Sequence, residues 1–269
     1  MHGRSAASLE SLLEATGTAV DGGADGLRLG ADLFGIAQAL DGQGSLRRAL
    51  TEPWIDPDAQ SNLMRSLFEG KVTDETLDLA ELAARSRWSA AADLGDALET
   101  TSVTAYVAQA DRDGHLDDVE DDLFRFARIL DREPALREVL SDPASPLEGK
   151  RALLESLLEG KVGAPTRRLL DQAVSGRHRS VAVVLEDYQK IAAARRHKLV
   201  ATAWVAADID DQHRDRLAEA LSKQYDRAVH LNVIVDPSVL GGVRVAIGDE
   251  VIDSTVQTRL AQARRRLDH

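Results

Sequence analysis

The residues most suggestive of chemistry form a Glu-Gly-Lys block that occurs twice, at 69–71 and 159–161. A Gly-Lys pair closes the phosphate-binding loop of many nucleotide-binding proteins, where backbone N–H groups surround phosphates and the lysine adds positive charge. That loop also requires an upstream glycine and a Ser or Thr after the lysine. Arg65 and Glu155 occupy the upstream position, and valine follows both lysines. The pattern therefore argues against nucleotide binding.

No other spacing predicts a catalytic or cofactor site. The seven histidines never occur at a separation that places two imidazoles on one helix face, and there is no cysteine. The adjacent carboxylates Asp117/Asp118 and Asp121/Asp122 make poor acid–base pairs, because neighbouring helical residues point in different directions. Gly241-Gly242 precedes a predicted strand, whereas a dinucleotide-binding glycine loop opens a helix. We predict no catalytic residue, no cofactor and no metal.

The composition favours a helical protein with several cores. The chain has 269 residues, 43% of them apolar, 29% charged and only 4% aromatic. The net charge of −12 argues against non-specific binding of nucleic acid. Residues 1–105 hold 8 Lys+Arg against 17 Asp+Glu, so this third alone contributes −9. The absence of cysteine fits a reducing compartment, and no apolar run approaches the roughly 18 residues of a membrane-spanning helix.

An internal repeat is the strongest signal in the chain. Residues 32–72 align without gaps on residues 122–162, ninety positions later, and 17 of the 41 aligned residues are identical. Both copies begin with Asp-Leu-Phe and end with Glu-Gly-Lys-Val. Such similarity at a fixed period indicates two copies of one structural unit.

Both copies have the periodicity of amphipathic helices. Their apolar residues recur at i, i+3, i+4 and i+7, and the Leu-rich runs end at a glycine suited to the left-handed conformation past a helix C-terminus. We therefore interpret each Glu-Gly-Lys block as a helix stop and each copy as a small helical bundle. The residues concerned are Leu33, Ile36, Ala37, Leu40 and Gly70 in the first copy, and Leu123, Phe126, Ala127, Leu130 and Gly160 in the second.

The last third changes to short β-branched runs. We predict a strand at 199–207, a helix capped by Asp210-Asp211 and ending at Tyr225, and a strand at 229–235. A hairpin of strands 243–247 and 251–253 and an Arg-rich closing helix follow. The predicted fold is mainly α, with two tandem helical bundles and a C-terminal β-α-β-β-β-α domain. The predicted domains are 1–105, 106–196 and 197–269.

The C-terminal motifs resemble those of the ATP synthase delta subunits and their mitochondrial counterpart, the oligomycin-sensitivity-conferring protein. The matching positions are Asp236-Pro237-Ser238, Gly241-Gly242, Gly248-Asp249, Ile252-Asp253 and Arg259-Leu260. Ser254-Thr255 departs from the Gly-Ser that the family usually has. The resemblance extends over about residues 106–267 and makes residues 1–105 an additional bundle, as in the long delta subunits of actinobacteria.

The resemblance implies a non-catalytic stator subunit of the proton-translocating ATP synthase, located peripherally on the cytoplasmic face of the cell membrane. Its partners in this hetero-oligomer would be the N-terminal region of an α subunit and the C-terminal ends of the b subunits. A helical adaptor unrelated to ATP synthase is the alternative. For α binding the implied residues are Tyr106, Ala110, Leu169, Leu170, Val174 and Leu185, and for b binding Leu231, Val233 and Leu260; core packing is the alternative role for each.

Overall fold

The computed structural model describes residues 3–175, 180–207, 209–225, 228–237, 239, 242–247 and 250–253. The chain divides into two compact units, Met1–Arg195 and Arg196–His269. The first unit is helical and the second combines a helix with a sheet. The predicted class, mainly α with a C-terminal α+β region, is confirmed.

The helices of the first unit follow one another with short connections. Within the described residues they are α1 (Arg4–Asp21), α2 (Gly26–Asp41), α3 (Gly44–Ala49), α4 (Pro57–Phe68), α5 (Asp74–Arg85), α6 (Ala91–Arg112), α7 (Leu116–Arg132), α8 (Pro134–Ser141), α9 (Leu147–Leu158), α10 (Ala164–Val174) and α11 (Val181–His197).

The helix positions recur with the offset of the sequence repeat. The helices α2, α4, α5 and α6 begin ninety residues before α7, α9, α10 and α11, respectively, and α1 falls within α6 after the same shift. The helix α6 therefore stands both at the end of a first helical set, α1–α6, and at the start of a second helical set, α6–α11.

Each Glu-Gly-Lys block ends a helix, as predicted. Gly70 and Gly160 have φ values of 73° and 69°, in the left-handed region just past α4 and α9. The Nζ groups of Lys71 and Lys161 donate to backbone carbonyls in the last helical turn, each at 2.8 Å. The lysines thus bind helix-terminal carbonyls, where the helix dipole favours a cation.

Two hydrophobic clusters fill the first unit, and α6 contributes to both. Leu94, Ala97 and Leu98 belong to the cluster of the first helical set. Tyr106 and Val107 belong to the cluster of the second helical set. A helix with apolar residues all round is buried on all sides. The predicted boundary between residues 105 and 106 lies inside this continuous helix, and the division of the helical region into two domains stays a prediction.

The second unit contains a mixed four-stranded sheet in its described part. Its strands have the order β2-β1-β3-β4, with β1 parallel to β2 and antiparallel to β3, and with β3 and β4 forming an antiparallel hairpin. The parallel pair is joined through α12, which packs against β2. The elements are β1 (Lys198–Val205), α12 (Asp211–Tyr225), β2 (Ala228–Val235), β3 (Val243–Ile247) and β4 (Glu250–Asp253).

The predicted elements of this unit agree with the observed ones to within two residues at each end, apart from the closing helix, which lies outside the described residues. Asp210 caps α12, because its Oδ1 accepts the backbone N–H of His213 at 2.8 Å. This hydrogen bond, together with the side chain of His213, lowers the pKa of Asp210. Along β2, Leu231 faces the core, whereas Val235 at the strand end is 49% exposed.

Candidate functional site

The junction between the two helical sets is built around a close approach of α2 to α6. A Cβ added at Gly26 would lie 2.6 Å from the carbonyl oxygen of Ala105, and one added at Gly30 would overlap the ring of Tyr106. Glycine at these two positions removes the side chains that would hold the helices apart. The backbone N–H of Gly26 also donates to Oε1 of Gln109 at 2.9 Å.

A buried polar network links α2, α6 and α10 at the same junction. The Oγ of Ser102 lies 2.7 Å from both the carbonyl oxygen of Gly30 and Oε1 of Gln172, and its single hydrogen can be donated to either acceptor. Nε2 of Gln172 donates to the carbonyl oxygen of Glu99 at 3.3 Å. Ser102 and Gln172 are almost fully buried. Buried polar groups with partners fix the relative positions of the helices that carry them.

Tyr106 lies in the interior of this junction. Its side chain is 2% exposed, and burial raises the pKa of the phenol to about 12, with the hydrogen bond to Ser102 acting in the opposite direction. The phenol is therefore neutral at physiological pH and serves as a packed aromatic residue with one polar contact.

Three helix ends are joined by a buried ion cluster. Arg195 of α11 donates to Asp111 of α6 at 2.6 Å and to Asp21 of α1 at 2.7 Å. The side chains of Arg195 and Asp21 are each only 10% exposed. Burial alone would lower the pKa of Arg195, but the two carboxylates outweigh it and raise this pKa. One guanidinium thus compensates two carboxylates, of which Asp21 is largely shielded from water and Asp111 is 33% exposed.

The adjacent carboxylates of α7 both lie near Arg125, at 3.3 Å for Asp121 and 3.8 Å for Asp122, and Asp122 also contacts a second helix. Asp121 accepts a hydrogen bond from Arg125 at 3.3 Å on the surface, whereas Asp122 accepts one from Thr166 of α10 at 3.2 Å. Burial raises the pKa of Asp122, while Thr166 and Arg125 act in the opposite direction. The contact of Asp121 with Arg125 lies within α7, whereas the contact of Asp122 with Thr166 joins α7 to α10.

The predicted α-binding residues are brought together, but in the interior. All of them belong to the cluster of the second helical set, and none is more than 3% exposed. Their burial assigns them to core packing in this chain, and contact with a partner stays a prediction. These residues are Tyr106, Ala110, Leu169, Leu170, Val174 and Leu185.

The structure describes two of the three residues predicted for b binding. Leu231 is 8% exposed in the core of the second unit, and Val233 packs against that core. Leu260 lies outside the described residues. As in the helical region, contact with a partner stays a prediction.

The C-terminal signature is also described only in part. The backbone N–H of Asp236 donates to the carbonyl oxygen of Val205 at 2.8 Å, which fixes the turn after β2. Pro237 is exposed in that turn, Gly242 immediately precedes β3, and Asp253 ends β4. Gly241, Gly248 and Asp249 lie outside the described residues.

Sequence reasoning missed the groups that join the helices. Gly26 and Gly30, four residues apart in an apolar helix, give a usable signal for close helix packing. Arg195 gives none, because its partners lie 84 and 174 residues away along the chain. Within the described ranges, no group of three or more His, Asp or Glu residues is placed to hold a metal ion. Where the helices are described, none is long and apolar enough to cross a membrane.

This arrangement defines a helical scaffold, in which buried polar and charged side chains join helices to one another. The family model of the ATP synthase delta (OSCP) subunit matches residues 103–267. The ATP synthase delta subunit of Kineococcus radiotolerans is 43% identical over 91% of this chain and 89% of that protein. The chain belongs to the ATP synthase delta subunit family. This family consists of structural subunits without catalytic activity, so the chain is not an enzyme.

Further comparisons extend this relationship. The ATP synthase delta subunit of Frankia alni is 44% identical over 90% of this chain and 88% of that protein. That of Streptomyces griseus is 42% identical over 90% of each. A chain of the Toxoplasma gondii mitochondrial ATP synthase hexamer covers 62% of this chain and 95% of its own length, with 19% identity and a TM-score of 0.30. The relationship therefore rests on the sequence comparisons.

Proposed function

We propose that this protein is a stator subunit of the peripheral stalk of ATP synthase. In this role it links the N-terminal region of an α subunit to the b subunits, and it keeps the catalytic head from turning with the rotor during proton-driven ATP synthesis. Its place is peripheral, on the cytoplasmic face of the membrane, through its partners. The observation that carries the proposal is the 43% identity to a delta subunit over 91% of the chain.

The geometry of the first unit supports this role. A stator must transmit torque, which requires elements that do not shear past one another. The buried faces of α6, the Ser102–Gln172 network and the Arg195 ion cluster all join helices that are distant in sequence. Contacts of this kind oppose sliding of one helical set against the other, because sliding would expose apolar and charged groups together.

We infer further that the first helical set is a duplicate of the second. The aligned repeat and the common offset of the helix starts support this inference. If the first set is a duplicate, residues 103–267, which match the family model, carry the function common to the family. The acidic first helical set is then an addition to it.

Binding of the purified full chain to two probes tests the proposal. The probes are an N-terminal peptide of the α subunit and a C-terminal segment of the b subunit from the same organism, with scrambled versions as controls. We expect both native probes to bind with dissociation constants in the micromolar range or below, as for helix-in-groove docking. Binding of neither probe would contradict the proposal and favour an adaptor unrelated to ATP synthase.

A second measurement tests the mechanical role in membranes. Removal of the chain from membrane vesicles should abolish ATP-driven proton pumping while ATP hydrolysis by the released head continues, and addition of the full chain should restore pumping. Pumping that persists without the chain would contradict the stator role.

A further inference from the structure

A cleft runs between α9 and α10 in the second helical set. Its volume is about 760 Å³, within the range of cavities that hold small molecules. The apolar residues Leu154, Leu158 and Val162 line it and form what we call its floor, and both leucines are nearly buried. The cleft is therefore large enough for a small ligand with an apolar body.

The equivalent helices of the first helical set pack together more extensively. The helices α4 and α5 begin ninety residues before α9 and α10. Leu77 of α5 stands at the position equivalent to Arg167 of α10 and is only 4% exposed. The looser packing of α9 on α10 thus coincides with an arginine in place of a buried leucine.

Two ion pairs join α9 to α10 across the cleft. Arg151 donates to both carboxylate oxygens of Asp171, at 2.7 Å and 3.1 Å, and Arg167 donates to Glu155. All four side chains line the cleft. A helix is about 10 Å wide and would have to break both pairs to enter, whereas a single hydrocarbon chain can lie beside them.

Arg168 is the remaining cation of the cleft. It is exposed, and it makes no hydrogen bond or ion pair with the described part of the chain, although its charge interacts with the phenol of Tyr106. The equivalent residue of the first helical set is Asp78, of opposite charge. A guanidinium binds a carboxylate through two parallel hydrogen bonds. The cleft thus combines an apolar floor with one positive charge that is open to an anion.

We propose that the cleft between α9 and α10 binds a small amphipathic carboxylic acid. The carboxylate pairs with Arg168, and the hydrocarbon body lies against the floor. A neutral apolar molecule leaves the guanidinium without an anion, and a short acid leaves the floor uncovered, so tight binding requires both parts of the ligand. The proposal does not rest on the stator role, because the ligand is a free acid rather than a subunit.

An NMR titration of the full chain with octanoate tests this proposal, because amide chemical shifts report binding residue by residue. We expect saturable shifts confined to α9 and α10, with a dissociation constant of about 1 mM or below. Acetate and 1-octanol each lack one part of the ligand. Both should bind at least roughly tenfold more weakly than octanoate.

Three variants of the full chain make the test specific. Arg168→Gln should weaken octanoate binding at least roughly tenfold, because charge-assisted hydrogen bonds are lost. The matched control Arg128→Gln removes an exposed arginine of α7 outside the cleft and should leave the affinity unchanged. Arg167→Leu introduces the residue of the first helical set and should abolish binding. The leucine would occupy space in the cleft, and Glu155, without its partner, would repel the carboxylate.

Several outcomes would overturn the proposal. They are the absence of saturable shifts with octanoate, shifts centred outside α9 and α10, equal affinity for 1-octanol, and an affinity that Arg168→Gln does not change. Tighter binding of an acidic helical peptide than of octanoate at the cleft would also overturn it, in favour of a partner segment. These readouts are independent of the α and b probes, so failure here is distinguishable from failure of the stator role.

Discussion

At the scale of single residues, the buried charges of the first unit carry the clearest consequences. Arg195 compensates Asp21 and Asp111, which lie at the ends of two other helices. The net value of such a buried cluster over apolar packing can be small, but removal of one member leaves the others uncompensated in a poorly hydrated site. Substitution of one member should therefore destabilise the protein by more than the intact cluster stabilises it.

We predict that Arg195→Met lowers the free energy of unfolding by about 3–5 kcal/mol. The methionine retains apolar bulk but leaves Asp21 and Asp111 without the guanidinium that compensates them. Urea denaturation followed by circular dichroism measures the change. On the same helix, Lys190→Met removes a surface pair with Asp187, with the lysine 72% exposed. That control should change stability by less than about 1 kcal/mol. Equal effects of the two substitutions would contradict the assignment of Arg195 to a buried ion cluster.

The stability effect of Asp122→Asn should depend on pH. Burial raises the folded-state pKa of Asp122 above its unfolded value, so ionisation is a penalty for the folded state. The penalty is fully present above the folded pKa and is lost as pH falls towards the unfolded pKa of about 3.9. As the pH falls from 7 to 4.5, the free energy of unfolding of the wild-type chain should therefore rise relative to that of Asp122→Asn. Urea denaturation at both pH values measures the difference in stability between the two chains. A difference that does not change with pH would argue against a raised pKa of Asp122.

At the scale of elements, the packing of α2 on α6 depends on glycine at particular positions. Gly30 and Gly35 lie on the same helix, but a Cβ at Gly30 overlaps Tyr106, whereas one at Gly35 has nothing within 4 Å. Substitution of Gly30 therefore tests helix packing, whereas substitution of Gly35 tests only the helix propensity of the residue.

We predict opposite effects for two Gly→Ala substitutions in α2. Gly30→Ala should destabilise by about 1–3 kcal/mol, because α2 must move away from α6. Gly35→Ala should stabilise by about 0.5–1 kcal/mol, because alanine is the better helix former at an exposed position. Thermal and urea unfolding of both variants measure the difference. Stabilisation by Gly30→Ala would contradict the close approach.

At the scale of the whole molecule, α6 makes the first and second helical sets interdependent. The family model matches from residue 103, within this helix. A chain that keeps only the second helical set and the C-terminal unit must begin no later than the start of α6, and it exposes residues that the first set buries. Leu94, Ala97, Leu98, Ala105 and Ala108 are each fully buried in the full chain.

We predict that a chain beginning at residue 91 has a lower unfolding temperature than the full chain and self-associates. Each leucine exposed on α6 forfeits about 1.5–3 kcal/mol of burial. Size-exclusion chromatography and differential scanning calorimetry measure the two effects. Leu94→Gln/Leu98→Gln in the shortened chain should restore the monomer. A monomeric, equally stable shortened chain would show that α6 does not need the first set.

The local elements of this protein are predictable from its amino-acid sequence. Helix stripes, the glycine stops at Gly70 and Gly160, the cap at Asp210 and the short strands all follow from periodicity and turn chemistry, which act over a few residues. The repeat and the family motifs are likewise properties of the sequence alone.

Which face of each helix is covered depends on the tertiary packing. Arg195 finds its partners 84 and 174 residues away, and no local pattern encodes such a pairing. The resemblance left Tyr106 either a partner contact or a place in the core, and the structure shows its side chain buried beside α2. Phe34 and Phe124 share their local sequence and differ in exposure, because burial depends on the elements that pack against a face, and these are distant in the chain.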